Sequence, residues 1–220
     1  TVARFQFIQN KYALATKISP QFIFSISIGG ILTENIQFVV VGAGIVGIAI
    51  AREIALLGKE VLLLECEENI GTGISSRSSE VIHSGVYYPK GSLKAKLCVQ
   101  GRELLYEFCN NYHVPFRKTG KLIVATNELE KDELGRLKNL GTENGVKDIE
   151  LLGPKEILKK ESELISKGGL YIPETGIVDT HTLMLALLND LENHNSVLAL
   201  RSPFISANVK DGKFQIQAGK

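Results

Sequence analysis

Three valines, Val39 to Val41, run straight into Gly42-x-Gly44-x-x-Gly47, and few short segments leave a chain so little choice of fold. The β-branched run suits a strand buried on both faces of a parallel sheet. After the glycines, Ile45, Ile48, Ala49, Arg52, Glu53, Leu56 and Leu57 recur at helical spacing as far as Gly58, a residue suited to closing a helix in the left-handed conformation. A second strand, Val61 to Leu64, stops at Glu65. In such a strand–helix–strand unit Gly42 permits the tight turn, Gly44 lets backbone approach a pyrophosphate, and Gly47 lets helix pack on strand. Free N–H groups and the helix dipole favour phosphate at the helix start. Glu65 stands where a carboxylate accepts hydrogen bonds from a ribose diol and disfavours a 2′-phosphate. The expectation is an α/β, doubly wound, Rossmann-like domain that binds a dinucleotide. The fingerprint alone does not separate NAD from FAD, since both present an ADP moiety.

Composition excludes other classes. The uncharged run from Asn35 to Ala51 is 17 residues long, short of the about 20 apolar residues of a transmembrane helix, and glycines interrupt it. A formal net charge of +1 gives no electrostatic reason to expect nucleic acid or an anionic membrane as partner. Cys66, Cys98 and Cys109 have no paired short spacing, so neither a disulfide framework nor a metal site is expected. From Thr1 to Thr33 there is no Asp or Glu, while Arg4, Lys11 and Lys17 are spread among Ser, Thr, Phe and Ile. That is the composition of a mitochondrial transit peptide over 1–34, with a disordered or strand-forming leader as the alternative. Met184 is the only methionine, so the numbering is expected not to begin at a translation start.

Residues 68–109, "ENIGTGISSRSSEVIHSGVYYPKGSLKAKLCVQGRELLYEFC", decide the cofactor. The segment resembles the L-2-hydroxyglutarate dehydrogenase branch of the FAD-dependent, D-amino-acid-oxidase-like superfamily. The resemblance rests on Gly71, Thr72, Ser75-Ser76-Arg77, Ser79-Glu80-Val81, His83, Gly85, Tyr87-Tyr88-Pro89, Gly91 to Ala95 and Gly101 to Leu104. "GKLIVAT" at 120–126 and "TGIVDTHTLMLALL" at 175–188 extend it to the stretch from about Phe38 to Leu200. Ser78 stands where that branch has an asparagine, and Phe204 follows Pro203 where it has a valine, which bears on the adenine-side contact.

The resemblance implies FAD as cofactor, with the 71–85 segment running along it. Thr72, Ser75 and Ser76 would meet pyrophosphate and ribityl chain as short hydroxyl donors, and Arg77 would add charge. From the residues alone, an ordinary serine-rich loop beside a helix start stays open. His83 would lie beneath the flavin ring, where a neutral imidazole can take the hydroxyl proton of a 2-hydroxy acid as hydride leaves its α-carbon. A histidine that only bonds backbone or holds the flavin is the alternative. Candidates for carboxylate recognition are Lys94, Lys96, Arg117 and Lys118, with Tyr87 and Tyr88 as hydrogen-bond donors. The implied reaction is oxidation of L-2-hydroxyglutarate to 2-oxoglutarate, with electrons passed to a non-oxygen acceptor, a quinone or carrier protein. Alternatives are a sister FAD enzyme acting on an amino acid or glycerol 3-phosphate, and a non-catalytic nucleotide-binding module. Members of the branch continue well past this point, so the chain is expected to be the N-terminal portion of a longer protein.

The remainder reads as scaffold: a helix from Ser92 to Tyr112 with Leu97, Gly101, Leu104, Leu105, Phe108 and Tyr112 as its core face, then a strand through "VPFRKTGKLIVAT". Asn127 with Glu130 forms a capping box for a helix closed at Gly141. Short strands at Ile149–Leu152 and Gly169–Ile172 flank a small helix after Pro154; Asp179 caps a helix to Asn193, and Val197–Leu200 returns to the nucleotide-binding sheet. The expected organisation is a leader (1–34), a first part of the FAD-binding domain (35–113), an inserted α+β substrate domain (114–173) and a return to the FAD-binding domain (174–220), both domains incomplete.

Overall fold

A computed structural model describes residues 24–28 and 32–219. By packing they divide into two compact units, one comprising the chain up to Ser75 and from Leu187 onward, the other Ser76–Ala186. Sequence patterning puts the divisions after 113 and 173. The helix beginning near Ser92 lies within the second unit, where its Arg102 and Tyr106 meet Ser84 before it in sequence and Phe116 and Glu174 after it.

The first unit starts with an antiparallel pair, β1 (Phe24–Ile28) and β2 (Leu32–Ile36), so the described part of the expected leader is strand. The transit-peptide expectation for residues 1–23 lies outside the described residues. Strand β3 (Phe38–Val41) then pairs in parallel with β4 (Val61–Leu64), Val39 opposite Leu62. All four residues of β4 are buried, and each such side chain gains on the order of 1.5–3 kcal/mol before the cost of ordering the chain. β3 corrects its expectation: among the described residues it has one neighbouring strand, and Val41 is 56% exposed. Helix α1 (Ile45–Leu56) crosses between them, burying Ile48, Ala51 and Ala55. It ends at Gly58, whose φ of +73° and N–H bond to the Ala55 carbonyl are the expected closure.

In the second unit β5 (Val81–Ile82) precedes α2 (Leu93–Asn111), capped by Ser92, whose Oγ accepts from the Ala95 N–H at 3.1 Å. The expected core face of this helix is wrong. Leu97 and Leu104 are more than half exposed, and the buried stripe is Ala95, Arg102, Tyr106 and Cys109. The expected single strand of 114–126 is two, β6 (Phe116–Arg117) and β7 (Lys121–Ala125), in different sheets. The break is Gly120, at φ +71°, where any Cβ would collide with the Tyr171 ring. Helix α3 (Glu128–Glu143) starts as expected, the Asn127 side chain accepting from the Glu130 N–H. It runs through Gly141 rather than ending there. A Cβ on Gly141 would lie 2.6 Å from Ile149 Cδ1 and 2.8 Å from Val86 Cγ2, so this glycine serves close packing and the chain turns at Gly145, φ +90°.

Next come β8 (Glu150–Leu152), α4 (Pro154–Lys160), β9 (Gly168–Ile172) and β10 (Gly176–Val178). β9 is flanked by β7 and β8, and β10 by β5 and β6, all antiparallel. Val86, Ala125, Leu134, Val146, Ile149, Leu170 and Ile172 form one core between this sheet and α3. Helix α5 (Thr180–Glu192) follows Asp179, whose carboxylate accepts from the Thr182 N–H and hydroxyl at 2.9 Å, and it carries the chain back to the first unit.

There β11 (Ser196–Ala199) joins β4 in parallel, as the sequence expects. β12 (Phe204–Lys210) and β13 (Lys213–Ala218) form a hairpin around Asp211-Gly212, both at positive φ, as a two-residue turn requires. β13 lies beside β1, and its Ile216 and Ala218 pack on Leu62 and Leu64 of β4.

Candidate active site

The first unit holds the glycine cradle. Gly42 adopts φ +96° while its N–H continues the β4 ladder to the Leu64 carbonyl at 2.7 Å, so the chain must turn sharply immediately after the sheet. A Cβ on Gly47 would fall on the Gly42 carbonyl oxygen; only glycine lets α1 sit this close to the turn. The first intrahelical bond is Ile48 N–H to Gly44 carbonyl, there is no acidic residue in the first turn, and Gly44 offers no side-chain cap. The helix start is therefore electropositive. The 71–75 turn folds back on it. Gly71 N–H reaches the Ala43 carbonyl at 2.9 Å, and Ser75 Oγ accepts from the Ile45 N–H at 3.1 Å, leaving its hydroxyl proton to donate. Thr72 is exposed on this turn.

Glu65 is buried at the end of β4. Its Oε2 accepts from the Ala43 N–H at 2.7 Å, and Oε1 from the Glu67 N–H at 3.0 Å and the Cys66 thiol at 3.2 Å. Burial alone raises this carboxyl's pKa, but the Glu67, Ala43 and Cys66 donors together outweigh it and hold the pKa below the ordinary carboxylate value. The group is ionised at neutral pH, and Oε2 keeps a lone pair for a further donor. Sequence spacing finds Glu65 but not its bond to the glycine turn.

The second unit holds His83. Ser76 and Arg77, both exposed, finish the 3-10 turn Ser75–Arg77, and β5 follows. Strand alternation buries Ile82 and Ser84 and turns His83 outward. Its loop is fastened through backbone carbonyls: the Cys98 thiol to His83 at 3.3 Å, Arg102 Nη1 to Ser84 at 3.1 Å, and Asn144 Nδ2 to Gly85 at 3.2 Å and Tyr88 at 2.7 Å. Gly85, at φ +99°, passes so close to α2 that a Cβ would lie 3.0 Å from Val99 Cγ2. Arg102 is itself anchored, with Nε 3.2 Å from Glu174 Oε2. One-sided packing depletes water around the imidazole, and with the charges of Lys121 and Lys94 this lowers the His83 pKa below its ordinary value. At neutral pH His83 is an unprotonated, exposed imidazole on a fixed loop.

Of the basic residues that sequence proximity suggests, Lys94 does act on His83. Lys118 instead approaches Glu174 at 3.9 Å and the Tyr106 ring at 4.5 Å. Lys121, Arg102 and Asn144 escape the sequence reading, because their roles depend on how α2, β7 and α3 pack around one loop. Among the described residues no cluster of three His, Cys, Asp or Glu could hold a metal ion, and no helix is long and apolar enough to cross a membrane.

The family model for FAD-dependent oxidoreductases matches residues 37–219. The chain belongs to that family. FAD is its cofactor, and the glycine cradle fits the ADP half of FAD on its own evidence: a helix start with no acidic residue in its first turn and only the neutral Ser75 hydroxyl on its first N–H, a glycine at which no side chain can stand, and an ionised carboxylate 23 residues after the first glycine. The chain is 50% identical over 158 residues to "L-2-hydroxyglutarate dehydrogenase, mitochondrial" of Arabidopsis thaliana, covering 72% of this chain and 33% of that protein. To the Homo sapiens protein of the same name it is 40% identical over 162 residues, covering 73% and 35%. It thus spans about a third of the length of these curated relatives. Among solved structures it is similar to L-alpha-glycerophosphate oxidase of Mycoplasma pneumoniae with FAD bound (TM-score 0.75, 27% identity, 81% of this chain and 48% of that one). Glycine oxidase of Geobacillus kaustophilus shares the fold at TM-score 0.73 and 23% identity, covering 82% of this chain and 50% of that one.

Proposed function

We propose that the protein oxidises L-2-hydroxyglutarate to 2-oxoglutarate in the mitochondrion, passing electrons onward to a non-oxygen acceptor, a quinone or carrier protein. The observation that carries this reading is His83: an exposed imidazole, neutral at physiological pH, on a loop fastened by Cys98, Arg102 and Asn144. The relatives named mitochondrial L-2-hydroxyglutarate dehydrogenases supply the substrate and the compartment.

The start of α1, with Thr72 and Ser75, would hold the pyrophosphate of FAD, and Glu65 its ribose; Ser76 and Arg77 follow directly in the chain as further candidate contacts. Bound FAD supplies the acceptor for the hydride that leaves C2 of the substrate. His83 takes the hydroxyl proton with its ring nitrogen lone pair, so that the O–H electrons form the new carbonyl as the C–H bond breaks. Its lowered pKa keeps that lone pair free at neutral pH, and the four carbonyl contacts on its loop keep the ring from wandering.

The test is His83→Ala in the holoprotein, assayed by dye reduction with a panel of 2-hydroxy acids, amino acids and glycerol 3-phosphate. Turnover of L-2-hydroxyglutarate should fall about 10²-fold or more with flavin content unchanged. Loss of flavin together with activity would refute the base role. Preference of the unaltered protein for glycerol 3-phosphate, the substrate class suggested by the glycerophosphate oxidase likeness, would refute the substrate assignment.

A further inference from the structure

We propose that Lys94 and Lys121 form a carboxylate-recognition site beside His83, and that this pair selects a dicarboxylic 2-hydroxy acid over a monocarboxylic one. The inference rests on the reading of His83 as the base. The two cations come from different elements, Lys94 from the first turn of α2 and Lys121 from the first residue of β7. Each is held over one of two consecutive rings on the His83 loop: Lys94 Nζ is 4.5 Å from the Tyr88 ring centroid and Lys121 Nζ is 5.3 Å from that of Tyr87. Such contacts orient an ammonium group without neutralising it.

Neither lysine makes an ion pair among the described residues, although Arg102, Lys118, Lys131 and Arg136 of the same unit all do. Two unpaired cations beside a general base are unfavourable for the base, since both disfavour its protonated form. A substrate that brings two carboxylates removes that disadvantage. Lys121 also lines a cavity of about 460 Å³ together with Lys160, Glu161 and Tyr171, within the size range of small-molecule sites. Lys121 is thus shared between this cavity and the charges that act on His83. Within that cavity Lys160 lies over the Tyr171 ring at 3.8 Å, but of the two lysines only Lys121 acts electrostatically on His83, so Lys121 is the cation placed to receive the distal carboxylate of an acid whose hydroxyl meets His83. Tyr87, 46% exposed, adds a hydroxyl donor on the same loop.

The experiment compares the holoprotein with Lys94→Met, Lys121→Met and Lys121→Arg. The first measurement is the ratio of kcat/KM for L-2-hydroxyglutarate to that for L-2-hydroxybutyrate, which differ by one carboxylate. The second is the Kd of glutarate against butyrate, titrated through the flavin absorbance. The ratio should fall about tenfold or more in Lys121→Met, the scale of one charge-assisted hydrogen bond, and recover in Lys121→Arg. Glutarate binding should weaken by a similar factor in both methionine variants. An unchanged ratio, or equal losses for both acids, would overturn the inference. A wild-type protein that oxidises neither acid defeats the oxidation reading alone. The glutarate titration still decides the site, because glutarate affinity indifferent to Lys94→Met and Lys121→Met overturns it.

Discussion

Arg102→Met isolates the buried cation that fastens the His83 loop. The Arg102 side chain is 1% exposed, and its removal leaves two groups behind: the Ser84 carbonyl, bonded at 3.1 Å, and the Glu174 carboxylate, 3.2 Å from Nε. Breaking a fully buried ion pair from one side costs about 3–5 kcal/mol. Two facts lower that figure here. Glu174 is 21% exposed with Lys118 still 3.9 Å away, and neither Nε nor Nη2 meets a partner in hydrogen-bonding alignment, so the contact is ionic and not a bidentate fork. A loss of about 2–3 kcal/mol is the consistent estimate, including the orphaned Ser84 carbonyl. For a chain of this size that is a fall in Tm of roughly 5–10 °C, at about 2–4 °C per kcal/mol. Thermal unfolding of the variant, followed by circular dichroism beside the unaltered chain, gives the number. The mechanism makes a sharper demand: Arg102→Met combined with Glu174→Met should be less damaging than the sum of the two single changes, because the second removes the carboxylate that the first stranded. A drop in Tm below about 1 °C for Arg102→Met, or strict additivity in the double variant, would refute the reasoning.

Gly47→Ala should reduce flavin bound per protein and lower Tm, by an amount at or above the about 1–3 kcal/mol of core overpacking, since the new methyl falls on the Gly42 carbonyl oxygen; flavin absorbance and a melt measure both. Glu65→Gln should cost about 1–3 kcal/mol at neutral pH by losing charge-assisted bonds from Ala43 and Glu67. Because the folded carboxyl has a depressed pKa, its stabilisation is present above the unfolded value and lost as pH falls through the folded one, so the difference in Tm should shrink below about pH 4.

The strand, glycine turn, helix and strand from Phe38 to Leu64 are legible in the sequence because they are local. One turn, one helix and one strand suffice for Gly42, Gly44, Gly47 and Glu65, and the periodicities of 2 and 3.6 fall in consecutive residues. What failed was non-local. Leu97, Leu104 and Leu105 are more hydrophobic than Ala95, Arg102 and Cys109 on the opposite face of α2, so hydropathy alone selects them as core. Packing selects Ala95, Arg102 and Cys109 instead, because Ser84 accepts one hydrogen bond from the guanidinium and Glu174 offsets its charge, from 18 and 72 positions away. Gly141 misleads in the same way: a glycine near a helix end reads as a stop, and only the approach of Val86 and Ile149 shows it to be a contact. Val39 to Val41 read as doubly buried because strand composition reports what a strand can bury, while exposure depends on how many neighbours it has.

The two cations near His83 also bear on how a base of this kind works in both directions of its task. In the free protein, Lys94 and Lys121 favour the neutral imidazole, which is the form able to take a proton. That same field makes the imidazolium, once formed, more costly, and an uncompensated pair of cations would penalise the proton transfer itself. On the proposed function a dicarboxylic acid would resolve the conflict, because its charges would offset the lysines when the hydroxyl is in place, and the basicity of His83 would rise as the substrate arrives. A monocarboxylic acid offsets only part of the field and meets a weaker base. Discrimination between the two acids would then be expressed in the proton-transfer step as well as in binding, and the cations proposed to recognise the substrate would also set when His83 is ready to act.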